Sequence, residues 1–362
     1  MNIDFHYGVI YVVGRLAGLS ATDAETVAHS CQYIDDATIH GILDFRDGET
    51  FERFASAHAL FDYQNAVNLG NDGNRLVWAP FHFLPAGEGR TLEDKAVCRP
   101  DSRIARETVR AAIRAGRDGE ANALHRLGVT LHTYVDTWAH QGFSGIDSAY
   151  NSITSLTSDE HDHEGWVQAL EAAGRHILDA AESRVLSQML PLGHGAALTY
   201  PDRPWAKWSY VNGHGMQVTR DNLPDFVTAA QMAHRAVRGF INGHADFENE
   251  NGLPEDAARA LHGLLGSQRD TDGVKRLAAW SAAIARGDFG AIGPLPPYLA
   301  SGVGSWKHRA TGITAAGDDG DEKPQWTPAF ETSDYRKFHD AVKEHRFEVT
   351  QRILPAAGVR LA

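Results

Sequence analysis

One segment of the sequence, LHTYVDTWAHQGF at 131–143, contains three side chains of types that commonly bind metal ions. His132, Asp136 and His140 are four residues apart, and a step of four residues turns an α-helix by about 400°. The three side chains therefore lie within about 80° of one another, on one helical face. Imidazole suits zinc, and a carboxylate is able to bridge two ions. The spacing predicts a zinc site on this helix.

The stripe of metal-binding residues lies beside an apolar stripe on the same segment. A lone histidine on an apolar face is more often structural than a metal ligand, whereas three metal-binding side chains on one helical face favour a metal site. Burying an unpaired carboxylate such as Asp136 is costly, and a divalent cation would neutralise it. The apolar neighbours are Leu124, Leu127, Leu131, Val135 and Trp138.

Further candidate ligands are spread along the chain, and each has a structural explanation when it is taken alone. Only two cysteines occur, Cys31 and Cys98, without a CxxC pair, so neither disulfides nor a cysteine zinc site is indicated. Any metal must then be held by histidine and carboxylate. The candidates are His6, the adjacent Asp35 and Asp36, His58, His82, His194 and Asp202.

Taken in chain order, these residues resemble the zinc-dependent phospholipase C and single-strand-specific nuclease superfamily, in a less characterised bacterial branch. That family has an N-terminal histidine, an aspartate after a helix, a histidine in an HF or HY loop, an H-x3-D helix followed by another histidine, and a last histidine–carboxylate pair. The resemblance covers residues 1 to about 210. The matching residues are His6, Asp35 or Asp36, His82 with His58 as its competitor, His132, Asp136, His140 and His194.

The resemblance implies a helical fold that holds two or three zinc ions. In the family these ions polarise a phosphoester and supply a bound hydroxide as nucleophile, and here Asp35 or Asp36 is the expected carboxylate that orients the attacking water. The sequence therefore predicts a zinc-dependent hydrolase acting on a phosphoester. Two alternatives stay open, namely a related zinc enzyme acting on an amide or ester or in a biosynthetic step, and a non-enzymatic helical protein with structural metal.

The chain departs from the family in the spacing of its histidines and carboxylates. Only three residues, instead of the usual five, separate Asp136 from the second histidine of the helix. His194 has no carboxylate four residues later, so Asp202 is the proposed partner. The usual spacing occurs instead at His244 and Glu248.

The start of the chain is a further departure. Secreted family members bind zinc through the amine of a processed N-terminal tryptophan, whereas this sequence starts with methionine. Because Asn2 is a large residue, we expect Met1 to be retained. Its amine has an ordinary pKa near 8 and is able to bind metal when neutral. Met1 is therefore included among the predicted metal ligands.

The elements that must position these residues are predicted to be helical. Leucine, alanine and valine recur at three- and four-residue steps, and no convincing alternating strand pattern is found. Residues 68–100 and 192–215, rich in glycine and proline, are expected to be long ordered loops. Two N-terminal helices separated at Gly18 and a candidate helix at 50–66 are expected first. Further helices are expected at 102–116, 119–142, 164–189, 222–243, 254–265, 272–286 and 329–353.

These patterns predict an all-α fold, a multi-helix bundle of the zinc phospholipase C type. We expect a helical metal-binding domain over residues 1–310, a flexible acidic loop over 311–328 and a C-terminal helix over 329–362 that packs on the domain. At 362 residues with 43% hydrophobic residues, the chain is long enough to bury a sizeable core.

Charge and composition limit the partners. A formal charge of −13 disfavours a stable nucleic-acid complex, although bound zinc would make the site locally positive. No segment has the roughly 20 apolar residues of a transmembrane helix, and the first residues do not follow the plan of a signal peptide. We therefore expect a cytoplasmic enzyme with a small-molecule or lipid-like substrate.

Overall fold

The computed structural model describes residues 1–57, 76–160, 164, 165, 167, 168, 193–316 and 323–361. His58, most of the helix expected at 164–189, and the central part of the acidic loop expected at 311–328 lie outside these ranges. The helices are α1 (Ile10–Ala17, preceded by the π-helical Asp4–Val9), α2 (Ala21–Asp36), α3 (Leu92–Ala96), α4 (Arg103–Arg117), α5 (Ala123–Ala139), α6 (Asn222–Asn242), α7 (Glu255–Ser267), α8 (Gly273–Arg286), α9 (Trp306–Thr311), α10 (Asp334–Phe347) and α11 (Leu354–Ala356).

Helix α5 is the central element, since α2, α4, α6 and α10 all pack against it. Its closest approach is to α2, where Gly128 faces the α2 backbone. A Cβ at residue 128 would lie only 2.4 Å from the Val27 carbonyl oxygen. The missing side chain therefore lets two helices that bear site residues come into backbone contact.

The all-α prediction is wrong, because the protein also contains two small antiparallel sheets. Strands β1 (Gly41–Asp44) and β2 (Thr50–Arg53) form a hairpin, and β3 (Ile153–Ser158), β4 (Lys207–Asn212) and β5 (Gln217–Asp221) form a three-stranded sheet in the order β3-β4-β5. The fold is mixed, with mostly helical structure.

The sequence does not predict these strands, because their apolar runs are short and stand beside turn residues. The start of the candidate helix at 50–66 is strand β2, so that expectation is wrong for residues 50–53. In the first hairpin, Asp47 and Gly48 lie between the strands, and Gly48 has a φ of +91°. Asp-Gly between two short runs is a common hairpin signal. The second part of the expected loop at 192–215 contains β4, in which Trp208 and Tyr210 are buried while the alternate residues Lys207, Ser209 and Val211 are more exposed.

The expected loop at 68–100 is also partly regular within the residues that the structure describes. It contains the π-helical turn Trp78–His82 and the short helix α3. Across the described ranges, no helix combines the length and apolar character that spanning a bilayer requires.

His339 in α10 should make folding sensitive to acid. Its ring lies against Tyr335, Phe338 and Phe51, and burial, reinforced by Arg53, lowers its pKa to about 3. The unfolded chain would take up the same proton near pH 6.5. The folded state therefore loses about 1.4 kcal/mol of stability per pH unit as the pH falls from 6.5 towards 3.

We expect the substitution His339→Gln to reduce the slope of the free energy of unfolding against pH by about 1.4 kcal/mol per pH unit between pH 6.5 and 4. The measurement is urea unfolding of chelator-treated wild type and variant at several pH values. Parallel curves for the two proteins would contradict the assignment.

Candidate metal centre

The start of the chain lies inside the protein. The Asn2 carbonyl accepts backbone hydrogen bonds from Phe5 at 2.8 Å and His6 at 3.0 Å, so the chain enters a helical turn at once. The Met1 amine is thereby placed 2.5 Å from Asp136 Oδ1 and 3.2 Å from Asp202 Oδ1. His6 Nε2 lies 3.2 Å from the same Asp136 oxygen. Residues from three distant parts of the sequence therefore meet at one point.

The contact between α2 and α5 brings two more site residues together. His132 donates from Nδ1 to the Cys31 carbonyl at 2.8 Å, which directs its Nε2 towards the cluster. This Nε2 lies 3.3 Å from Asp136 Oδ2 and 3.7 Å from Asp35 Oδ1. Asp35 is the last residue but one of α2, so the helix delivers its carboxylate at the edge of the site.

The π-helical turn at 78–82 supplies His82. This ring donates from Nε2 to the Ser56 carbonyl at 2.9 Å, and its Nδ1 lies 3.6 Å from Asp136 Oδ2. His345 of α10 stabilises the turn, because its Nε2 donates a hydrogen bond to the Pro80 carbonyl at 3.0 Å. The C-terminal helix therefore helps to hold a predicted metal ligand in place.

His140 and His194 form the other end of the cluster, around Asp202. His140 donates from Nδ1 to the His82 carbonyl at 2.7 Å, and its Nε2 lies 3.2 Å from Asp202 Oδ1. His194 Nδ1 contacts the Leu198 carbonyl at 3.0 Å, and its Nε2 lies 3.5 Å from Asp202 Oδ2. Both rings thus direct one nitrogen towards the same carboxylate.

The hydrogen bonds fix which ring nitrogens carry protons in the neutral histidines. A carbonyl oxygen only accepts, so the nitrogen that faces it must be the N–H, and the other nitrogen keeps a lone pair. His132 Nε2 and His82 Nδ1 are both of this second kind, yet they lie only 3.2 Å apart. Two lone pairs this close repel each other unless a proton or a metal cation lies between or beside them, and Asp136 and Asp35 raise the pKa of His82 against the effect of burial.

Two buried atoms of the cluster have no hydrogen-bond partner: His6 Nε2 and Asp136 Oδ2. Leaving such atoms unsatisfied is costly, and a bound cation would satisfy both. Histidine nitrogen and carboxylate oxygen are also the donor set that zinc prefers. The groups present therefore fit divalent metal ions, and zinc in particular.

Burial and neighbouring charges set the protonation states within the cluster. Burial lowers the pKa of His6, His132 and His194 to about 4, so these rings are neutral at physiological pH. Burial alone would raise the pKa of the Asp136 carboxyl, but His140, the Met1 amine and neighbouring histidines together hold it well below its usual value. These four groups therefore have the protonation states that metal coordination requires.

The Met1 amine and His82 hold their protons more strongly. Burial would lower both pKa values, but neighbouring carboxylates outweigh it: Asp136, Asp202 and Asp35 raise the pKa of the amine to about 11, and Asp136 and Asp35 raise that of His82. A metal ion that binds these two groups must displace a proton.

Nine groups converge on the site, and all nine belong to the ligands predicted from the sequence. Eight are side chains and the ninth is the amine of Met1. They are the Met1 amine, His6, Asp35, His82, His132, Asp136, His140, His194 and Asp202.

Asp36 does not belong to this cluster, so the geometry gives no support to its predicted catalytic role. Its Oδ2 accepts hydrogen bonds from the Tyr298 hydroxyl at 2.6 Å and from Gln32 at 3.1 Å. One residue along a helix is a rotation of about 100°, which turns the Asp36 side chain away from the face that Asp35 presents. The choice between the two aspartates is thereby made in favour of Asp35.

The alternative pair His244 and Glu248 is also not a site. His244 is exposed and contacts Glu250 at 2.8 Å, whereas Glu248 pairs with Arg110. Spacing alone suggested a pair that the chain does not form. His58, the competitor of His82, lies outside the described residues.

Cys31 contacts the cluster, although its sequence context gave no reason to include it. Its Sγ lies 3.5 Å from His6 Nδ1, and burial raises the thiol pKa well above its usual value. Cys31, His6 and His132 each offer one ligand atom within 4.8 Å of one another, although His132 Nδ1 is hydrogen-bonded to the Cys31 carbonyl. Because a bound metal ion deprotonates a coordinated thiol, Cys31 is a further candidate ligand that the sequence did not indicate.

The Met1 amine gives a direct test of the convergence. In a chain that begins at Met1, the amine lies beside Asp136 and Asp202. Once a metal ion displaces its proton, the amine should complete one metal position. An N-terminal extension of a few residues converts the amine into an amide, which is a poor ligand. We expect the extended form to bind about one ion fewer per chain, measured by elemental analysis beside an unextended form. Equal metal content in both forms would exclude the amine as a ligand.

A model of a protein family, described as "Family of unknown function (DUF6765)", matches residues 1–353 of the chain. The searches of curated proteins and of solved structures found no match to the chain. The family match spans nearly the whole chain, so it includes every residue of the candidate centre. Its description assigns no activity, and the function must be argued from the site.

Proposed function

The chain belongs to the DUF6765 family, and we propose that it is a zinc-dependent hydrolase of phosphoesters, as its resemblance to the zinc phospholipase C superfamily implies. The observation that carries the proposal is the convergence of nine metal-binding groups. Seven of them have facing ligand atoms 3.2–3.5 Å apart: His6, His82, His132, Asp136, His140, His194 and Asp202. Without cations, this arrangement would hold one buried and two partly buried carboxylates with a single ammonium group among them.

The distances divide the ligands into three sets. The first contains Asp35, His82 and His132, whose ligand atoms lie within 4.8 Å of one another, and the second contains His140, His194 and Asp202 at the same limit. A third set consists of the Met1 amine and His6, which share Asp136 Oδ1, and Asp202 Oδ1 also borders this set, 3.2 Å from the amine. Asp136 Oδ2 faces the first set, so this carboxylate would bridge two ions.

Zinc bound there would lower the pKa of a coordinated water towards about 7 and stabilise negative charge on the attacking and leaving oxygens of a phosphoryl displacement. Asp35, Asp136 and Asp202 carry −3 together, so two divalent ions leave the site at +1 and three leave it at +3. A positive site suits an anionic ester. Asp35 lies at the rim, and in this proposal its carboxylate would orient the attacking water and accept its proton.

The exposure of the ligands supports a catalytic centre over a structural one. The side chain of Asp35 is 33% exposed, His194 is 19% exposed and Asp202 is 16% exposed, whereas Asp136 and His132 are buried. Structural zinc sites are closed by protein ligands, whereas catalytic sites keep a position open to substrate. The open side of this centre lies along Asp35, His194 and Asp202.

Aromatic rings form part of the surroundings of the centre. Phe83 stacks on His140 at 4.6 Å between ring centroids, and Trp78 lies 5.3 Å from His82. These rings fix the imidazole planes, and the half-buried Trp78 offers an apolar surface to the organic part of an ester. This supports a small-molecule or lipid-like substrate. The cytoplasmic location stays a prediction from the sequence.

Activity screening of metal-reconstituted protein tests the proposal. The substrates are an aryl phosphodiester, an aryl phosphomonoester, a phospholipid, and an acyl ester and an amide for the alternative chemistry. We expect hydrolysis of at least one phosphoester, abolished by a chelator and restored by zinc. Turnover confined to the acyl or amide substrates would support the alternative, and no turnover by fully metallated protein on any of them would contradict the proposed function.

A further inference from the structure

A buried arginine outside the proposed ligand set contacts two of the segments that deliver ligands. Arg276 in α8 is 1% exposed and forms a bidentate ion pair with Asp4, at 2.7 and 2.8 Å. Asp4 lies between Met1 and His6 in the sequence, so this pair holds the first helical turn. The bidentate geometry restricts both position and orientation, as a single contact from lysine would not.

The same guanidinium also contacts the segment that follows Asp202. Its carbon lies 5.3 Å from the centre of the Trp205 ring, in cation–π geometry, and Trp205 is three residues after Asp202. Nη1 of Arg276 donates to the Asp270 carbonyl at 2.7 Å, which ties the side chain to the loop before α8. One side chain therefore connects α8, the chain start and the Asp202 segment.

A second contact of α8 holds the chain start independently of charge. Gly273, the first residue of α8, lies against the Asn2 side chain, and a Cβ there would be 2.0 Å from Asn2 Oδ1. Any larger residue at 273 must displace the Asn2 side chain, whose Oδ1 accepts a hydrogen bond from the Ile3 amide at 2.7 Å within the same turn. The start of α8 therefore packs closely against the segment that carries the Met1 amine.

We propose that Arg276 is a positioning residue that holds the Met1 amine and Asp202 in register at one metal position, where they lie 3.2 Å apart. The inference rests on the proposed function, because it concerns the same metal centre. It assigns a role to α8, which contributes no ligand. Residues that orient metal ligands typically change metal affinity by about 10- to 100-fold when they are replaced.

The test uses the double variant Asp4→Leu/Arg276→Met, because removing both charges avoids leaving one buried and unpaired. Gly273→Ala is the second variant, which displaces Asn2 without touching a charge. The matched control is Arg126→Met/Glu344→Leu, which also removes the ion pair of a buried arginine. Arg126 Nη1 lies 3.2 Å from Glu344 Oε2, and Arg126 precedes His132 by about 9 Å along α5. Zinc affinity is measured by chelator competition, the cobalt(II) absorption spectrum reports the ligand geometry, and circular dichroism reports folding.

We expect one ion to bind about 10- to 100-fold more weakly in both variants, with a changed cobalt spectrum, while the other ions and the control protein behave as wild type. If the double variant does not fold, Gly273→Ala decides. Unchanged affinity of every ion in folded variants would overturn the positioning role, and so would equal weakening of all ions. A wild-type protein that binds no metal would instead contradict the proposed function itself.

Discussion

Replacing Asp136 by asparagine should remove the two ions that share this carboxylate and lower phosphoesterase activity by about 1,000-fold or more. Asp136 is buried and faces the Met1 amine, His6, His82 and His132. A catalytic metal contributes several kcal/mol of transition-state stabilisation, and each 1.4 kcal/mol corresponds to a factor of ten in rate. Elemental analysis and initial rates on the best phosphoester substrate measure the two effects.

The matched control is Asp36→Asn, which changes the same functional group outside the cluster. Asp36 is exposed and bonds to Tyr298 and Gln32, so this variant should keep its metal and most of its activity. In Asp136→Asn we expect the ion of the His140, His194 and Asp202 set to remain. Full metal content in Asp136→Asn, or equal losses in both variants, would show that Asp136 is not the bridging ligand.

Removing the metal should lower the thermal stability of the wild-type protein by about 10 °C. Each ion bound at a thousand times its dissociation constant stabilises the folded state by roughly 4 kcal/mol. For a chain of 362 residues with an unfolding entropy of about 2.1 cal/mol/K per residue, two ions correspond to a shift of roughly 10 °C. Differential scanning calorimetry before and after treatment with a strong chelator measures the shift.

The control for the chelation experiment is the re-addition of metal. Zinc should restore the transition temperature, whereas magnesium should not, because the site offers five imidazole nitrogens and magnesium prefers oxygen ligands. The Asp136→Asn variant should respond less to the chelator than the wild type does. A transition temperature that is the same with and without chelator would mean that no ion stabilises the fold.

The part of the site that was predictable from the sequence is the part set by local helix geometry. His132, Asp136 and His140 have a four-residue spacing, and four residues is close to one helical turn. His140 is the first residue past the end of α5, and it still faces Asp136 at 3.5 Å. The helix stripe therefore predicted a true spatial cluster.

The distant ligands depended on the family resemblance, because spacing carries no information about contacts between remote segments. The usual family spacing favours Glu248 over Asp202 as the last carboxylate, yet the structure places Asp202 beside His140 and His194. Asp35 and Asp36 were indistinguishable, since the end of a helix is uncertain by one or two residues in sequence and each residue turns the side chain by about 100°.

Neither hydrophobic periodicity nor residue spacing predicts the sheets or the backbone carbonyls that orient the histidine rings. Strand β1 has only four residues, too few for an alternation to stand out. The proton positions on the histidines depend on the carbonyls of Cys31, Ser56 and His82. Every residue has such a carbonyl, so side-chain types reveal nothing about which ones orient the ligands.

The central claim is that one multi-metal centre lies among the nine converging groups. The most direct measurement is an anomalous difference map, recorded above and below the zinc absorption edge, from crystals of protein purified without a chelator. The account predicts two or three peaks, with one between Asp35, His82, His132 and Asp136 and one between His140, His194 and Asp202. A map without a peak among these residues, in crystals where the cluster is well ordered, would contradict it.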